Sequence, residues 1–500
     1  MLKSLTFCLL MLLLPALACA DTLYVSPGGS GSACLDAAPC ALDSAITVAR
    51  AGDDILLSNG FYGDLRISGQ RNSGNITIAA QPGHNPGVRS VVVSASSRWI
   101  ISGLNISPEL TSPYVSGYLV HIRSDSDNIT IEDNNLFYTR DASGWSAADW
   151  TSRPARYALL TEGTNITIRN NRLSNVYFGI IARGEHTLIA GNTVNHIAGD
   201  GMGARTSNIT FENNTIKNFY KVNDNHDDAI QFHRGGNLSI PIENIIIRGN
   251  LVIDHEPNLT NSLLTSPQGI CGFDGGAATG FLRNFVVENN VVLTGHWHAL
   301  SFYGATDSRV VNNIAFDPSG RRAVWISFDD RGRNCIVRNN MASSYHIGGS
   351  GVTADHNIDI DDYGPGSLFL DYRNYDLRHR AGSPAIDAGS SASAPSTDIN
   401  GNRRPHGSGY DIGAYEYGGS GGPDPDPDPD PSLLYGDVSE NGSISAYDAS
   451  LAAQYAVGSI SLTADQITAA DVTGNGDVSA TDASWVARKA VDSNVEFPVE

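Results

Sequence analysis

Ile166-Thr167-Ile168-Arg169-Asn170-Asn171-Arg172 is the stretch from which the fold can be read. A short run with apolar residues at alternate positions ends in a polar Asn pair, and the pattern returns along the chain. Asn134-Asn135, Gly191-Asn192, Asn213-Asn214, Gly249-Asn250, Asn289-Asn290, Asn312-Asn313 and Asn339-Asn340 follow comparable runs, such as Ile129-Thr130-Ile131, Ile245-Ile246-Ile247 or Val310-Val311. The second Asn advances by 36, 21, 22, 36, 40, 23 and 27 residues, a unit of about 22 lengthened by insertions in three places. Such short alternating runs between polar turns are strand patterning. Strands of this length cannot bury a face alone and must stack on copies of themselves.

The architecture that follows is all-β: a right-handed parallel β-helix whose rungs rise by about 4.8 Å, the ordinary inter-strand spacing. Stacked Asn side chains at one turn would satisfy backbone groups of neighbouring coils, which is a structural role. The Asn-X-Ser/Thr sequons, Asn75-Ile76-Thr77 and Asn208-Ile209-Thr210 among them, read as by-products of the same turn. At the start, Tyr24-Val25-Ser26-Pro27-Gly28-Gly29, Ser44-Ala45-Ile46 and Ala51-Gly52-Asp53-Asp54-Ile55-Leu56-Leu57 resemble the opening cap and first coil of polysaccharide lyases of the pectate-lyase-like superfamily. At the end, Asp398-Ile399-Asn400-Gly401-Asn402-Arg403-Arg404-Pro405 and Asp411-Ile412-Gly413-Ala414-Tyr415-Glu416-Tyr417 are similar to the closing segment of bacterial β-helix proteins. The resemblance covers residues 22–418 and implies the fold, not a reaction.

Four segments are expected. Residues 1–20, with Lys3, an apolar run from Leu9 to Leu17 and Ala18-Cys19-Ala20, read as a secretory signal. Residues 21–418 form the β-helix. Residues 419–431, Gly/Ser followed by repeated Pro-Asp, form an extended linker. Residues 432–500 form a small helical domain. The signal places the protein outside the cell or on its surface. In an oxidising compartment Cys34 and Cys40, six apart across a Pro-containing turn, form a small disulfide loop, and Cys271 and Cys335 stay reduced. The net charge of -21 disfavours a general nucleic-acid binder. Residues 419–500 carry 14 acidic against two basic side chains, which leaves the body only mildly acidic. No run beyond the signal is long and apolar enough for a membrane span.

The tail holds two twelve-residue loops 34 apart, Asp437–Asp448 and Asp471–Asp482. Oxygen side chains occupy positions 1, 3, 5, 9 and 12: Asp437, Ser439, Asn441, Ser445 and Asp448, then Asp471, Thr473, Asn475, Ser479 and Asp482. Gly at position 6 permits the sharp turn, and Ser443 and Asp477 at position 7 can ligate through their carbonyls. Such a set suits Ca²⁺, a hard cation taking about six to eight oxygens. The duplicated loop and helix, with Asp at position 12, resembles a type I dockerin. That resemblance implies two Ca²⁺ ions and a cohesin partner read through Ala446-Tyr447 and Ala480-Thr481.

Aligning the coils at residues 200–327 places Met202, Ile230, Ile270, Leu300 and Val324 inward. By alternation, Arg205; Gln231 and His233; Cys271 and Phe273; Ser301 and Tyr303; and Trp325 and Ser327 lie outward. Titratable and aromatic groups repeated on one face describe a sugar-binding groove, with Tyr303 and Trp325 as stacking faces. An arginine margin (Arg183, Arg205, Arg234, Arg321, Arg322) favours an anionic polysaccharide. Asp227-Asp228 is the centre, and Asp200, one coil below, adds a third carboxylate. Acids this close either hold a cation or share protons.

Three readings stay open. The order resembles calcium-dependent pectate lyases, which implies Asp200, Asp227, Asp228 and Gln231 around a groove Ca²⁺, β-elimination, and Arg205, His298 or Arg322 as base. It is also similar to polygalacturonase-type glycoside hydrolases, in which aspartates act as acid and base. The third reading is a non-catalytic binding protein or adhesin, with Arg183, Gln231, His233, Tyr303 and Trp325 contacting sugar as they would in an enzyme.

Overall fold

The structure is a computed structural model. It describes residues 20–110, 117–153, 157–234, 239–272 and 278–418. In the tail it describes 435–439, 444–457, 459–460, 462, 464–473, 478–491, 495 and 497. The expected signal and the linker therefore lie outside the described residues, apart from Ala20. The chain divides into two compact units, residues 1–418 and 419–500.

The first unit is a parallel β-helix. One coil shows the plan: Thr164–Arg169 lies in a first sheet, Arg172–Val176 in a second and Phe178–Ala182 in a third, before Thr187–Ala190 returns to the first. Among the described residues the sheets contain 14, 12 and 11 strands, all parallel. The alternation seen in the sequence becomes vertical columns. Ile131, Ile168, Ile189, Phe211, Ile247, Val287 and Val310 stack inward from the first sheet. Leu159, Ile180, Met202, Ile230, Ile270, Leu300 and Ile326 stack inward from the third. Nearly all are fully buried, and each such side chain contributes about 1.5–3 kcal/mol relative to exposure.

The Asn motifs are a ladder. Asn134, Asn171, Asn192, Asn214, Asn250, Asn290, Asn313, Asn340 and Asn357 lie at the turn from first to second sheet. The Nδ2 of each donates to the Oδ1 of the next at 2.9–3.1 Å. The same Oδ1 also accepts the backbone N–H of the Asn below it, for instance Asn171 N at 3.0 Å. The preceding residue is left-handed, as in Asn170 (φ 55°), Gly191 (65°) and Asn213 (54°), which is why Asn or Gly stands there. In the first motif the ladder member is Asn134, not Asn135, since Asn135 pairs with Arg172. The sequon residues Asn128, Asn165 and Asn208 stand instead at the entry to the first sheet, where they are also left-handed, as are Asn244 and Asn284 on later coils, while Asn75 lies within the strand Arg71–Ala80.

Cys34 and Cys40 are joined in a disulfide beside the helix Leu42–Val48, while Cys271 and Cys335 are buried free thiols. The closing segment runs along the upper Asn turns. Asn289, Asn312 and Asn339 donate to the carbonyls of Thr397, Asp411 and Ser390, and buried Arg404 pairs with Glu416 at 2.6 Å.

The second unit contains the helices Ala446–Ala456, Ala464–Ala470 and Ala480–Val491. Val438, Ala452, Ala470, Val478 and Ala483 form one of its buried clusters.

Candidate active site

The strands of the third sheet enter from the corner that follows the second sheet, and the side chain at that corner faces outward. Up the helix that column reads Tyr118, Tyr157, Phe178, Asp200, Asp228, Gln268, His298 and Trp325. Below the acids the rings stack, with centroids 5.7 Å apart for Tyr118–Tyr157 and 5.3 Å for Tyr157–Phe178. A middle column carries Gly203, Gln231, Cys271, Ser301 and Ser327. Arg183, Arg205, His233 and Tyr303 follow the far ends of their strands. The outer columns are five residues apart along a strand, about 16 Å at roughly 3.3 Å per residue. The acids and the arginines thus stand at opposite edges of the third sheet's outer face.

Asp200, Asp227 and Asp228 are brought together, and the excursion after Tyr220 surrounds them. Its path is fixed by Lys221 N donating to Leu263 O at 2.7 Å, which ties it to the next excursion. Asp228 N donates to Asp200 Oδ1 at 3.2 Å. Asp228 Oδ2 faces His226 Nδ1 at 2.8 Å and accepts Gln231 Nε2 at 2.6 Å. Asp227 instead faces Lys221 Nζ at 3.5 Å and Asn225 Nδ2 at 3.3 Å. Asp228 is fully buried and its Oδ1 has no hydrogen-bond partner among the described residues, whereas the His226 ring is 60% exposed.

Burial, then the charge of Asp228, pushes Asp200 up to about 8. Burial raises Asp227 to about 6 against the pull of Lys221. Burial also raises Asp228, opposed by its hydrogen bond from His226. The same bond raises His226 above its ordinary value, because the carboxylate favours the imidazolium. A groove histidine oriented by a buried carboxylate, with an ammonium nearby, is equipped to move a proton.

The other expected residues lie elsewhere along the groove. His298 stands two rungs above Asp228, its Nδ1 accepting Trp325 Nε1 at 3.1 Å and facing Ser301 Oγ at 2.9 Å. Burial lowers it to about 4. Burial, Arg205 and Arg183 take His233 to about 4 as well. Arg183 faces Glu162 at 3.5 Å. Arg322 lies at the corner before Trp325, 5.5 Å over the Trp297 ring, and not beside the acids. A register irregularity sets Trp325 above His298 and Ile326 above Leu300, so Val324 does not occupy the expected inward column although it is buried. Phe273 lies outside the described residues. In the sequence, His226 and Gln268 stand immediately before their strands but carry no assigned role, and Lys221 and Trp297 are not singled out. For His226 the signal was present, since His226 and Asp228 are two apart at a strand entry and share a face.

The arrangement does not fit a groove cation held by the three aspartates. The carboxylates of Asp227 and Asp228 turn to separate partners, and no group of three His, Cys, Asp or Glu side chains among the described residues is placed to hold a metal ion.

In the second unit the loop ends meet. Ser439 Oγ donates to Asp437 Oδ1 at 3.3 Å and Ser439 N to Asp448 Oδ1 at 2.8 Å. Thr473 Oγ1 contacts Asp471 Oδ1 at 3.2 Å and Asp482 Oδ1 at 2.7 Å. Ser445 and Ser479 donate to the second oxygens of Asp448 and Asp482. Asn441, Ser443, Asn475 and Asp477 lie outside the described residues.

The right-handed β-helix region model matches residues 89–266 and 157–359. The chain belongs to the right-handed β-helix family. This β-helix protein also matches the dockerin type I domain over residues 435–489. No curated protein matches it. Its solved likenesses include pectate lyase Pel9A, at 16% identity over 79% of this chain and 96% of that one, with a TM-score of 0.42. A rhamnogalacturonan lyase is 17% identical over 68% and 87%, with a TM-score of 0.41. XylC in complex with xylose is 11% identical over 80% and 99%, with a TM-score of 0.45. Likeness at this level concerns the course of the chain and carries no reading of substrate. Dockerin type I domains bind calcium, and the hard oxygens gathered around Asp437, Ser439 and Asp448, and around Asp471, Thr473 and Asp482, fit that ion. Calcium would supply the charge that lets these acidic loops close.

Proposed function

We propose that the β-helix protein is an exported polysaccharide lyase that breaks an anionic, uronate-containing chain by β-elimination and is tethered through its dockerin to a cohesin. The observation that carries this reading is His226, exposed to the groove and oriented by buried Asp228, with Lys221 on the same excursion. Lys221 pairs with the uronate carboxylate and makes the C5 proton more acidic. His226 Nε2 removes that proton, the electron pair forms the C4–C5 double bond, and the C4–O bond breaks. Asp200, protonated at neutral pH, gives a proton to the departing oxygen. Arg183 and Arg205, across the groove, attract the neighbouring anionic sugars.

Hydrolysis is the second reading, favoured by the split proton affinities of Asp200 and Asp227, about 8 and about 6. Against it, all three carboxyls lie on one wall and Asp228 is engaged with His226, whereas a glycosidase needs two carboxyls flanking the bond. Incubating the full chain with polygalacturonate and with alginate tests the reading. Ultraviolet absorbance of an unsaturated end is expected. New reducing ends without that absorbance would assign hydrolysis, and the absence of both would leave neither polymer as substrate.

A further inference from the structure

We propose that Trp297 and Arg322 form a distal subsite that holds a second uronate of the same polysaccharide, two rungs along the helix from Asp228. This rests on the reading of the groove as a binder of an anionic sugar chain. Trp297 immediately precedes His298 and is 44% exposed, although its ring stacks on Trp325 of the next coil at 6.1 Å and 21°. The Arg322 guanidinium lies 5.5 Å from the Trp297 centroid. It has no carboxylate partner among the described residues, and neither does Arg321, which donates through Nε to Ser319 Oγ at 2.8 Å. The turn that presents both is built around Asp317. Its Oδ1 accepts Ser319 N and Oγ at 2.8 and 2.6 Å, and its Oδ2 accepts Arg321 N and Arg322 N at 3.2 Å each. The carboxylate of Asp317 is thus occupied by the turn it shapes.

An indole matches the C–H face of a pyranose, and a guanidinium matches a carboxylate in a planar, two-pronged pair. Two rungs amount to about 10 Å, beyond the span of the ring being cleaved. The same chain must therefore extend upward past Gln268 and His298 to reach Trp297. The subsite makes length and charge at that distance part of recognition, and it gives Arg322 a binding role rather than that of a base, for which it was one of three candidates in the sequence.

The test is binding to the full calcium-loaded chain carrying Asp228→Asn, which spares the probes from cleavage. Trimers and hexamers of galacturonate and of alginate are compared with neutral xylohexaose. For the uronate hexamer that binds, Trp297→Ala is expected to weaken affinity about tenfold while changing the trimer by about twofold or less. Arg322→Gln is expected to narrow the preference for that hexamer over xylohexaose. Both positions are exposed, and an unchanged circular dichroism spectrum establishes that the variants fold. Equal losses for trimer and hexamer, an unaffected hexamer, or no uronate hexamer binding would overturn the subsite. Because the readout is binding, it decides the subsite even if the wild-type chain releases no unsaturated product.

Discussion

Asp228→Asn preserves volume and removes the charge that faces His226 Nδ1 at 2.8 Å. A hydrogen bond to a charged group favours the charged partner by about 1.5–3 kcal/mol, and about 1.4 kcal/mol is one pKa unit. The His226 ring is 60% exposed, so solvent screens part of that. Asp228 raises the proton affinity of His226, so the native ring becomes a neutral base only above its ordinary 6.5. Without that charge the base form appears at lower pH. The acidic limb of kcat/KM should therefore move to lower pH. The plateau should also fall by about 10²–10⁴-fold, because an amide does not hold the imidazole in the tautomer that leaves Nε2 open. The assay is the pH profile of unsaturated-end formation on the polymer turned over, paired with NMR titration of the His226 ring protons. A limb that stays in place, or moves up, would refute the dyad.

Asn192→Ala should cost about 2–4 kcal/mol in denaturant unfolding. It removes the acceptor of Asn171 N and the donor to Ile168 O inside a buried ladder, and a cost under about 0.5 kcal/mol would show that the ladder is not a stabilising element. The raised proton affinity of Asp200 gives a stability contribution that is full below about pH 4 and lost as pH rises toward about 8. The β-helix melting temperature should fall across that window, and Asp200→Asn should flatten the slope; equal slopes would remove Asp200 as the cause. Chelation of the full chain should reduce helical circular dichroism and added Ca²⁺ should restore it. The Asp448→Ala and Asp482→Ala variants should each need more Ca²⁺, and a signal indifferent to chelator would contradict calcium-dependent closure.

The coil architecture was legible because an Asn in a left-handed turn leaves a mark that periodicity cannot hide. The ladder from Asn134 to Asn340 was visible almost whole, with a one-residue misreading at Asn134-Asn135, where two adjacent Asn residues offer the same pattern. The sequons at Asn128, Asn165 and Asn208 were assigned to the wrong corner because both corners favour Asn for the same steric reason. Asp200 and Asp228 were correctly expected as neighbours, since strand pairing turns a 28-residue separation into one rung. His226 and Lys221 were harder to place. They sit on an excursion whose path is set by a contact with Leu263, a residue of the next excursion that no repeat relates to it. The slip at Trp325 has a similar origin, since an irregularity within a strand leaves no trace in spacing.

The plan of the coil has a consequence for how such a protein can diversify. Each circuit returns to the same three sheets, and the Asn stack secures one corner, so polypeptide inserted at another corner leaves the pairing above and below it intact. The excursion that carries Lys221 and His226 is such an addition, while Asp200 and Asp228 belong to the scaffold. Acid spacing is inherited with the rungs, whereas the groups that meet the sugar can be exchanged by replacing a loop, without rebuilding the column beneath.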